Sequence, residues 1–575
     1  MTDQVNSRPT LLVSDFNLST LHSMLSRAGL NDGLSFESGG FGEVAQPLLS
    51  ETTSSEASRG AVVWTSPTGV LSNFERLLSG SLDSADSVME EVDRFADLVA
   101  SASERFRFIL LVSWTVPPGH RGLGMLDLDP VRGVAATVLR ANLRLSERMR
   151  GLRNVFLLDG ARWVGGRQEA EEAARLWFLS KSSVTHATLE VATDEIIAAI
   201  RALRGQSKKV VVVDLDNTLW GGIVGDVGWE SLRLGGHDPL GEAFVDFQKA
   251  LKGLTNRGIV LGIVSKNEEE VALEAIRNHP EMILKVEDFA GWRINWRDKA
   301  LNLTELIEEL NVGIDSVVFI DDSASERGRV AEALPWVMVP DWPSDPLRYG
   351  ARLRAMPNFD LPTLSEEDRL RTSSYTAERN RRESRATVSS TVDWLESLRL
   401  QVEVSPLNRA DLPRATQLLN KTNQMNLTTR RLTESEFWEW SSIPGHKTYT
   451  FRVTDRFGDY GLTGLVSLDL TDGRDLKSHS SARIVDFVLS CRVFGRLIEQ
   501  AMVHLAAEIA RKEGKNRLEA HLISTSKNEP CRRFWEQESG FSEDPDTPRT
   551  FALDLAVGYP LPDVISLHLR HGKTP

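Results

Sequence analysis

The chain has 575 residues, with 67 Lys and Arg against 81 Asp and Glu, a formal charge of −14; at roughly 150 residues per domain, that length suits three or four domains. So acidic a chain excludes duplex nucleic acid as a main partner, because duplex binding depends on neutralising phosphates with Lys and Arg. Two cysteines, Cys491 and Cys531, exclude a disulfide framework and a Cys-rich zinc site and point to a reducing, cytoplasmic setting. The opening MTDQVNSRPT lacks the basic-then-apolar pattern of a signal peptide. The apolar run 108–116 falls far short of the ~18 residues of a membrane span, so no membrane partner is expected.

Taken in chain order, apolar strands alternate with amphipathic helical stretches from residue 10 to about 340, which predicts an α/β fold. The first segment opens on the strand TLLVSDFN and closes on a helix over 190–204; GQSKK at 205–209 then breaks the pattern. The run VVVVD at 210–214 reads as a parallel strand buried on both faces. Residues 364–388 are dense in charge and read as a solvated connecting helix. From residue 400 the strands LQVEVS, KTYTFRVTD, GLTGLVSLDL and ARIVDFVLS flank helices, as in a separate α+β domain.

The chemistry-bearing residues gather at the ends of strands. Asp214 and Asp216 follow VVVV, and functional side chains in a parallel sheet collect outside the carboxyl ends of its strands. Asp214 is placed to attack phosphorus; Asp216 is placed to protonate the leaving oxygen and later to activate water. A carboxylate attacking a phosphate calls for a hard cation, Mg²⁺. Ser265 ends the strand GIVLGIV, Lys299 opens a helix after NWRD, and Asp321 with Asp322 ends the strand SVVFI. Ser265 and Lys299 suit phosphoryl oxygens and the charge of the transferring group, and the second carboxylate pair completes a metal site of Asp214, Asp216, Asp321 and Asp322.

Four motifs in this order resemble the haloacid dehalogenase (HAD) phosphatase superfamily, and the resemblance adds Thr218 to the phosphate-binding set. Only 51 residues separate Asp214 from Ser265, which leaves little room for a cap domain. The extension Leu219-Trp220-Gly221-Gly222-Ile223-Val224-Gly225 and the segment FIDDSASERGRV are similar to the FkbH-like branch, associated with polyketide biosynthesis. SDFNLSTL (14–21) resembles that branch's SGNH-hydrolase-like first domain; NKTNQMNLTTRR, DRFGDYGLTG and SCRVFGR resemble its GNAT-like acyltransferase domain. The resemblance implies an enzyme that dephosphorylates 1,3-bisphosphoglycerate and loads the glyceryl group on the thiol of an acyl carrier protein acting in trans, for methoxymalonyl or tetronate units. It also implies three domains: an SGNH-like α/β domain at 1–205, non-catalytic and either structural or carrier-docking; a HAD-like Rossmannoid α/β domain with minimal cap at 206–360; and a GNAT-like α+β domain at 398–560 after a charged helical linker, 361–397. Departures from the family pattern are DDSASER for DDNPxER, NQMNLTT for NQFNLTT, and Leu215 where some relatives carry Cys.

In the C-terminal segment, SCRVFGR between a strand and a helix has the form in which free backbone N–H groups at a helix N-terminus hold a pyrophosphate. Arg492, Gly495 and Arg496 are therefore read as pantetheine-binding. Cys491, beside those arginines at the helix start, is read as an acyl-carrying nucleophile. Cys531, near Phe534 and Trp535, is read as buried. The polar run places Asn423, Gln424 and Asn426 as contacts for a small polyhydroxy acyl group. The six arginines of 369–385 form a candidate basic patch for carrier docking. Two other readings stay open: a plain phosphohydrolase with an inert C-terminal domain, and a non-catalytic scaffold.

Overall fold

The computed structural model describes residues 9–49, 59–81, 84–165, 167–310, 312–362, 377, 379, 381, 384–385, 390–422, 424–471, 481–525, 528–545 and 547–570. The chain forms two compact units: Met1–Gly221, Arg233–Ile259 and Val312–Glu366 in one, and Gly222–Leu232, Val260–Asn311 and Glu367–Pro575 in the other. The mixed α/β class read from the sequence holds.

The first unit opens with β1 (Thr10–Val13), β2 (Phe36–Ser38), β3 (Gly60–Val63), β4 (Phe108–Val112) and β5 (Val155–Leu158), an all-parallel sheet in the order β2-β1-β3-β4-β5. Its inner strands β1, β3 and β4 are almost wholly apolar because both faces are covered, whereas the edge strand β2 exposes Glu37 and Ser38. Leu11, Val13, Ala61, Val63, Ile109 and Leu111 pack to one side, and Leu12, Val62, Leu110 and Val112 to the other. That two-sided burial is what short runs such as TLLV and GAVV encode.

Four strands follow: β6 (Val210–Val213), β7 (Val260–Ser265), β8 (Phe289–Ile294) and β9 (Val317–Ile320). In the first unit β6 and β9 pair in parallel, Val210 opposite Val317 through Val213 opposite Ile320, with every residue buried. In the second unit β7 and β8 pair in parallel. Between β6 and β7 a helix runs Pro239–Asn256, its N-terminus capped by the Asp238 side chain on Gly241 N.

The second unit also holds an eight-stranded mixed sheet. Its strands are β10 (Leu400–Pro406), β11 (His446–Asp455), β12 (Gly458–Asp469), β13 (Ser481–Leu489), β14 (Arg517–His521), β15 (Ser542–Glu543), β16 (Thr550–Asp554) and β17 (Ile565–Leu569). Strands β10 to β13 run antiparallel in sequence, and β13 pairs with β14 in parallel from Ser481 opposite Arg517 to Ile484 opposite Ala520. The helix Ile498–Lys512 buries Ala501, Met502, Leu505 and Ala506 against this sheet. No helix among the described residues is long and apolar enough to cross a membrane.

The charged stretch 364–388 lies largely outside the described residues; of its described arginines, Arg381 departs from the reading as a solvated basic patch, whereas Arg385 is exposed. Arg381 is buried and forms a bidentate ion pair with buried Asp455, 2.6 and 2.9 Å. Its guanidinium lies 4.0 Å from the ring centre of Tyr460. Arg379 donates to the Phe289 carbonyl at 2.9 Å and stacks on Trp292, and Arg385 lies over Trp394. Guanidinium groups bury well when a carboxylate and an aromatic face meet them together, and periodicity does not reveal such partners.

Candidate active site

Three carboxylates converge in the first unit. Asp214 follows β6 and Asp321 and Asp322 follow β9, so the parallel pairing of those strands carries them to the same end of the pair. One oxygen from each lies within 4.8 Å of the others. Asp214 N donates to the Ile320 carbonyl at 3.0 Å, which locks the two strand ends in register. Around the group the backbone is tightly held. Asp321 Oδ1 accepts from Ser323 N at 2.9 Å, and Arg327 Nη1 donates to the carbonyls of Asp321 and Asp322, both at 2.8 Å. Thr218 is buried; its hydroxyl donates to Asp322 Oδ1 at 3.3 Å and accepts from Asp322 N at 3.2 Å. In this structure Thr218 therefore joins the two motifs to each other. Three hard oxygen donors at this spacing match the donor set of Mg²⁺.

One carboxylate of the expected metal set stands apart from the other three. The side chain of Asp216 is not in the three-carboxylate group; its Oδ1 accepts from the indole N–H of fully buried Trp220 at 2.8 Å. The turn that follows Asp214 returns the chain on itself, with Asn217 at φ +57° and a parallel bridge between Asp216 and Trp220. The Leu219 carbonyl in the same turn accepts from buried Gln248 at 2.9 Å. Trp220 thus sets the direction of the Asp216 carboxyl, a role that its place in a Trp-Gly-Gly run did not disclose. Arg327 was equally hidden. A buried tyrosine, Tyr349, stands in the field of Asp322; burial first, then that carboxylate, pushes its hydroxyl up to about 12.

Ser265 and Lys299 belong to the second unit. Ser265 closes β7, buried, with its carbonyl accepting from Asn295 N at 3.1 Å. Lys299 is buried at the start of the helix Lys299–Leu310, as the sequence predicts.

The C-terminal residues are placed differently from the expectation. The parallel contact of β13 with β14 stops at Ile484 and Ala520, and β13 runs on to Leu489 paired with β12 on its other edge only. A bare strand edge there would suit an extended ligand. The chain fills it instead. Leu427 N donates to the Phe487 carbonyl at 3.2 Å, Leu489 N to the Met425 carbonyl at 3.1 Å, and Asn426 bridges Val488 in antiparallel sense. On the far side Ile523 N reaches the Leu427 carbonyl, Asn528 Nδ2 the Asn426 carbonyl and Cys531 N the Gln424 carbonyl.

Asn426 is accordingly corrected from ligand contact to scaffold. It is fully buried, its amide donates to the carbonyls of Leu419 (3.2 Å) and Thr422 (3.1 Å), and its Oδ1 accepts from Thr429 N at 2.9 Å. Asn426→Ala removes three hydrogen bonds at a fully buried position and is expected to lower unfolding stability by about 1–3 kcal/mol. Urea denaturation measures this, and a loss within a few tenths of wild type removes the scaffold role. Gln424 is exposed. Asn423 lies outside the described residues.

The loop read as a pyrophosphate cradle also closes on itself. Gly495, at φ +68°, directs its N–H to Glu499 Oε1 at 3.0 Å. Glu499 is buried, and burial pushes its carboxyl up. A carboxyl of the chain itself thus takes the N–H read as free for a phosphate. Arg496 is buried, donating to the Tyr460 hydroxyl and, at 2.8 Å, to the Arg492 carbonyl. Arg492 Nε donates to Ser490 Oγ at 3.4 Å. Gly495 and Arg496 are therefore corrected to parts of a self-capped turn. Cys491 begins the 3-10 turn Cys491–Val493, but its side chain lies outside the described residues. Cys531 is fully buried, and burial pushes its thiol up to about 12, as its reading as a buried residue requires.

Comparison with known proteins gives no matching family profile and no matching curated protein. Among solved structures the chain is similar to the N-terminal part of the protein BF1531 from Bacteroides fragilis, described as containing a phosphatase domain and complexed with Mg. Identity is 27%, covering 63% of this chain and 96% of that one, with a TM-score of 0.55. A variant of spermidine N-acetyltransferase SpeG from Vibrio cholerae matches at 17% identity, covering 27% of this chain and 94% of that one, TM-score 0.21. The ribosomal-protein-S18-alanine N-acetyltransferase from Escherichia coli matches at 14%, with the same two coverages and TM-score 0.20.

Proposed function

We propose that this chain is a Mg²⁺-dependent, HAD-type enzyme that removes phosphate from 1,3-bisphosphoglycerate and transfers the glyceryl group to the thiol of an acyl carrier protein. The observation that carries this reading is the group Asp214, Asp321 and Asp322 at the carboxyl ends of β6 and β9. The likeness to a Mg-bound phosphatase domain supports it. The FkbH-like sequence motifs supply the substrate and the carrier.

Asp214 attacks the phosphorus of the phosphate ester, and its carboxylate becomes the phosphoryl carrier. Asp216, directed by Trp220, gives the proton to the departing oxygen and then takes one from the water that hydrolyses the aspartyl phosphate. Mg²⁺ held by Asp214, Asp321 and Asp322 would neutralise charge on the phosphoryl oxygens. The reading assigns Ser265 and Lys299 to those same oxygens. At the other end of the substrate the acyl phosphate is already activated. A thiolate attacks its carbonyl carbon, a C–S bond forms, the C–O bond breaks and phosphate leaves. Cys491 is assigned as the thiol that first accepts the acyl group.

A second reading, a phosphohydrolase whose C-terminal domain transfers no acyl group, is favoured by one observation: Glu499 takes the Gly495 N–H read as holding a pantetheine pyrophosphate, and residues 424–427 fill the β13 edge beside it. Intact-protein mass spectrometry separates the two. With enzyme, Mg²⁺ and 1,3-bisphosphoglycerate, the first reading expects a glyceryl-sized mass gain on the phosphopantetheinylated carrier, lost in Cys491→Ala. Magnesium-dependent phosphate release with an unchanged carrier mass selects the second reading.

A further inference from the structure

The segment between β4 and the helix Val134–Met149, residues 113–133, has no regular structure of its own apart from the short turn Gly124–Leu126. Connections longer than about 12–15 residues are uncommon in compact domains and usually functional. This one leaves the carboxyl end of a parallel strand, where such sheets bind their ligands.

It is also firmly built. Asp127 Oδ1 accepts from Leu123 N and Val134 N, both at 3.1 Å, and Asp129 Oδ1 from Val131 N and Arg132 N, both at 3.0 Å. Ala85 N holds the Val131 carbonyl at 3.0 Å, and Arg140 Nη1 the Pro130 carbonyl at 2.8 Å. Gly122 and Gly124 take φ of +62° and +61°, which other residues adopt with strain.

What this framework presents is unusual for a surface. Leu123, Met125, Leu126, Leu128 and Val131 all face outward, Met125 fully exposed and Leu128 at 71%. Two turns further on, Leu139 and Leu143 are exposed on the helix that the loop enters. Both aspartates are turned inward as backbone acceptors. Arg121 and Arg132 are exposed, with no ion pair among the described residues. The outward face is therefore apolar and cationic, on a chain whose formal charge is −14.

We infer that residues 121–132 form the docking surface for the acidic carrier protein, gripping an apolar helix face ringed by carboxylates. This inference rests on the carrier reading proposed above. Clustered apolar side chains supply the desolvated centre of such a contact, and the arginines supply its orientation and encounter rate. Repulsion between two acidic proteins makes a local cationic rim necessary for any productive approach.

Two double variants of the full chain test it: Met125→Ser with Leu128→Ser, and Arg121→Glu with Arg132→Glu. The changed side chains are exposed, and none belongs to the proposed phosphatase chemistry. The probe is a phosphopantetheinylated acyl carrier protein, titrated by calorimetry at two salt concentrations. Each double variant is expected to weaken binding by about tenfold or more, and the charge-reversed one also to lose the salt dependence, while Mg²⁺-dependent phosphate release from p-nitrophenyl phosphate is unchanged. Carrier loading and binding equal to wild type in both variants overturns this inference alone. A wild-type chain that releases phosphate but neither binds nor loads the carrier overturns the carrier reading and this inference with it. Binding of anionic phospholipid vesicles, or a dimer abolished by Met125→Ser with Leu128→Ser, in place of carrier binding also overturns it.

Discussion

Asp214→Asn is expected to reduce magnesium-dependent phosphate release by about 10⁴-fold or more. The physical reason is twofold. The amide has no anionic oxygen to attack phosphorus, and it takes one charge from the three-carboxylate group that includes Asp321 and Asp322. Phosphate release and Mg²⁺ titration, run on the same preparation, separate the two losses. Asp216→Asn provides the contrast. Its side chain lies outside that group and is held by Trp220, so turnover should fall while the cation still binds. Near wild-type turnover in Asp214→Asn would discard the phosphatase assignment.

Breaking the Arg381–Asp455 pair should have the largest effect on stability. Both partners are buried, and removing one strands the other without its counter-charge, which costs about 3–5 kcal/mol. Arg381→Ala should therefore unfold at distinctly lower urea concentration. Tyr460→Phe, which deletes the 2.9 Å hydrogen bond to Asp455 Oδ2 and also the hydroxyl that accepts from buried Arg496, should cost about 1–3 kcal/mol. The pair also gives the stability a pH dependence. Burial pushes the Asp455 carboxyl up, but the Arg381 guanidinium, the Tyr460 hydroxyl and the Phe457 N–H together hold it below its ordinary value. A carboxyl lowered in the folded state stabilises above its unfolded value of about 3.9, and that contribution is lost as pH falls through the lower folded value. The wild type should accordingly lose stability below about pH 4, and the Arg381→Ala curve should lack this contribution. Equal urea midpoints for Arg381→Ala and wild type at pH 7 would show that the pair stabilises nothing.

The sequence by itself determined the parts whose causes are local. A run such as VVVV buries on both faces of a parallel sheet wherever it is placed, so the aspartates behind β6 and β9 had to emerge at strand ends. The same logic placed Ser265 at the end of β7 and Lys299 at a helix start. It also separated the C-terminal mixed sheet from the parallel strands before it, because alternation and run length are properties of a few neighbouring residues.

Only the tertiary structure decided which polar side chains look inward. Arg381 finds its carboxylate 74 residues away, and the Asn426 carbonyl finds its donor on Asn528, 102 residues on. In sequence each sits in a polar run indistinguishable from a solvated surface or a binding loop. The same holds in reverse at 123–131, where apolar residues that a pattern reading would bury face outward, because two aspartates and an arginine contact at Pro130 fold the backbone the other way. Hydrogen-bond partners far apart in the chain leave no periodic trace, and the desolvation of a charge depends on all of them at once.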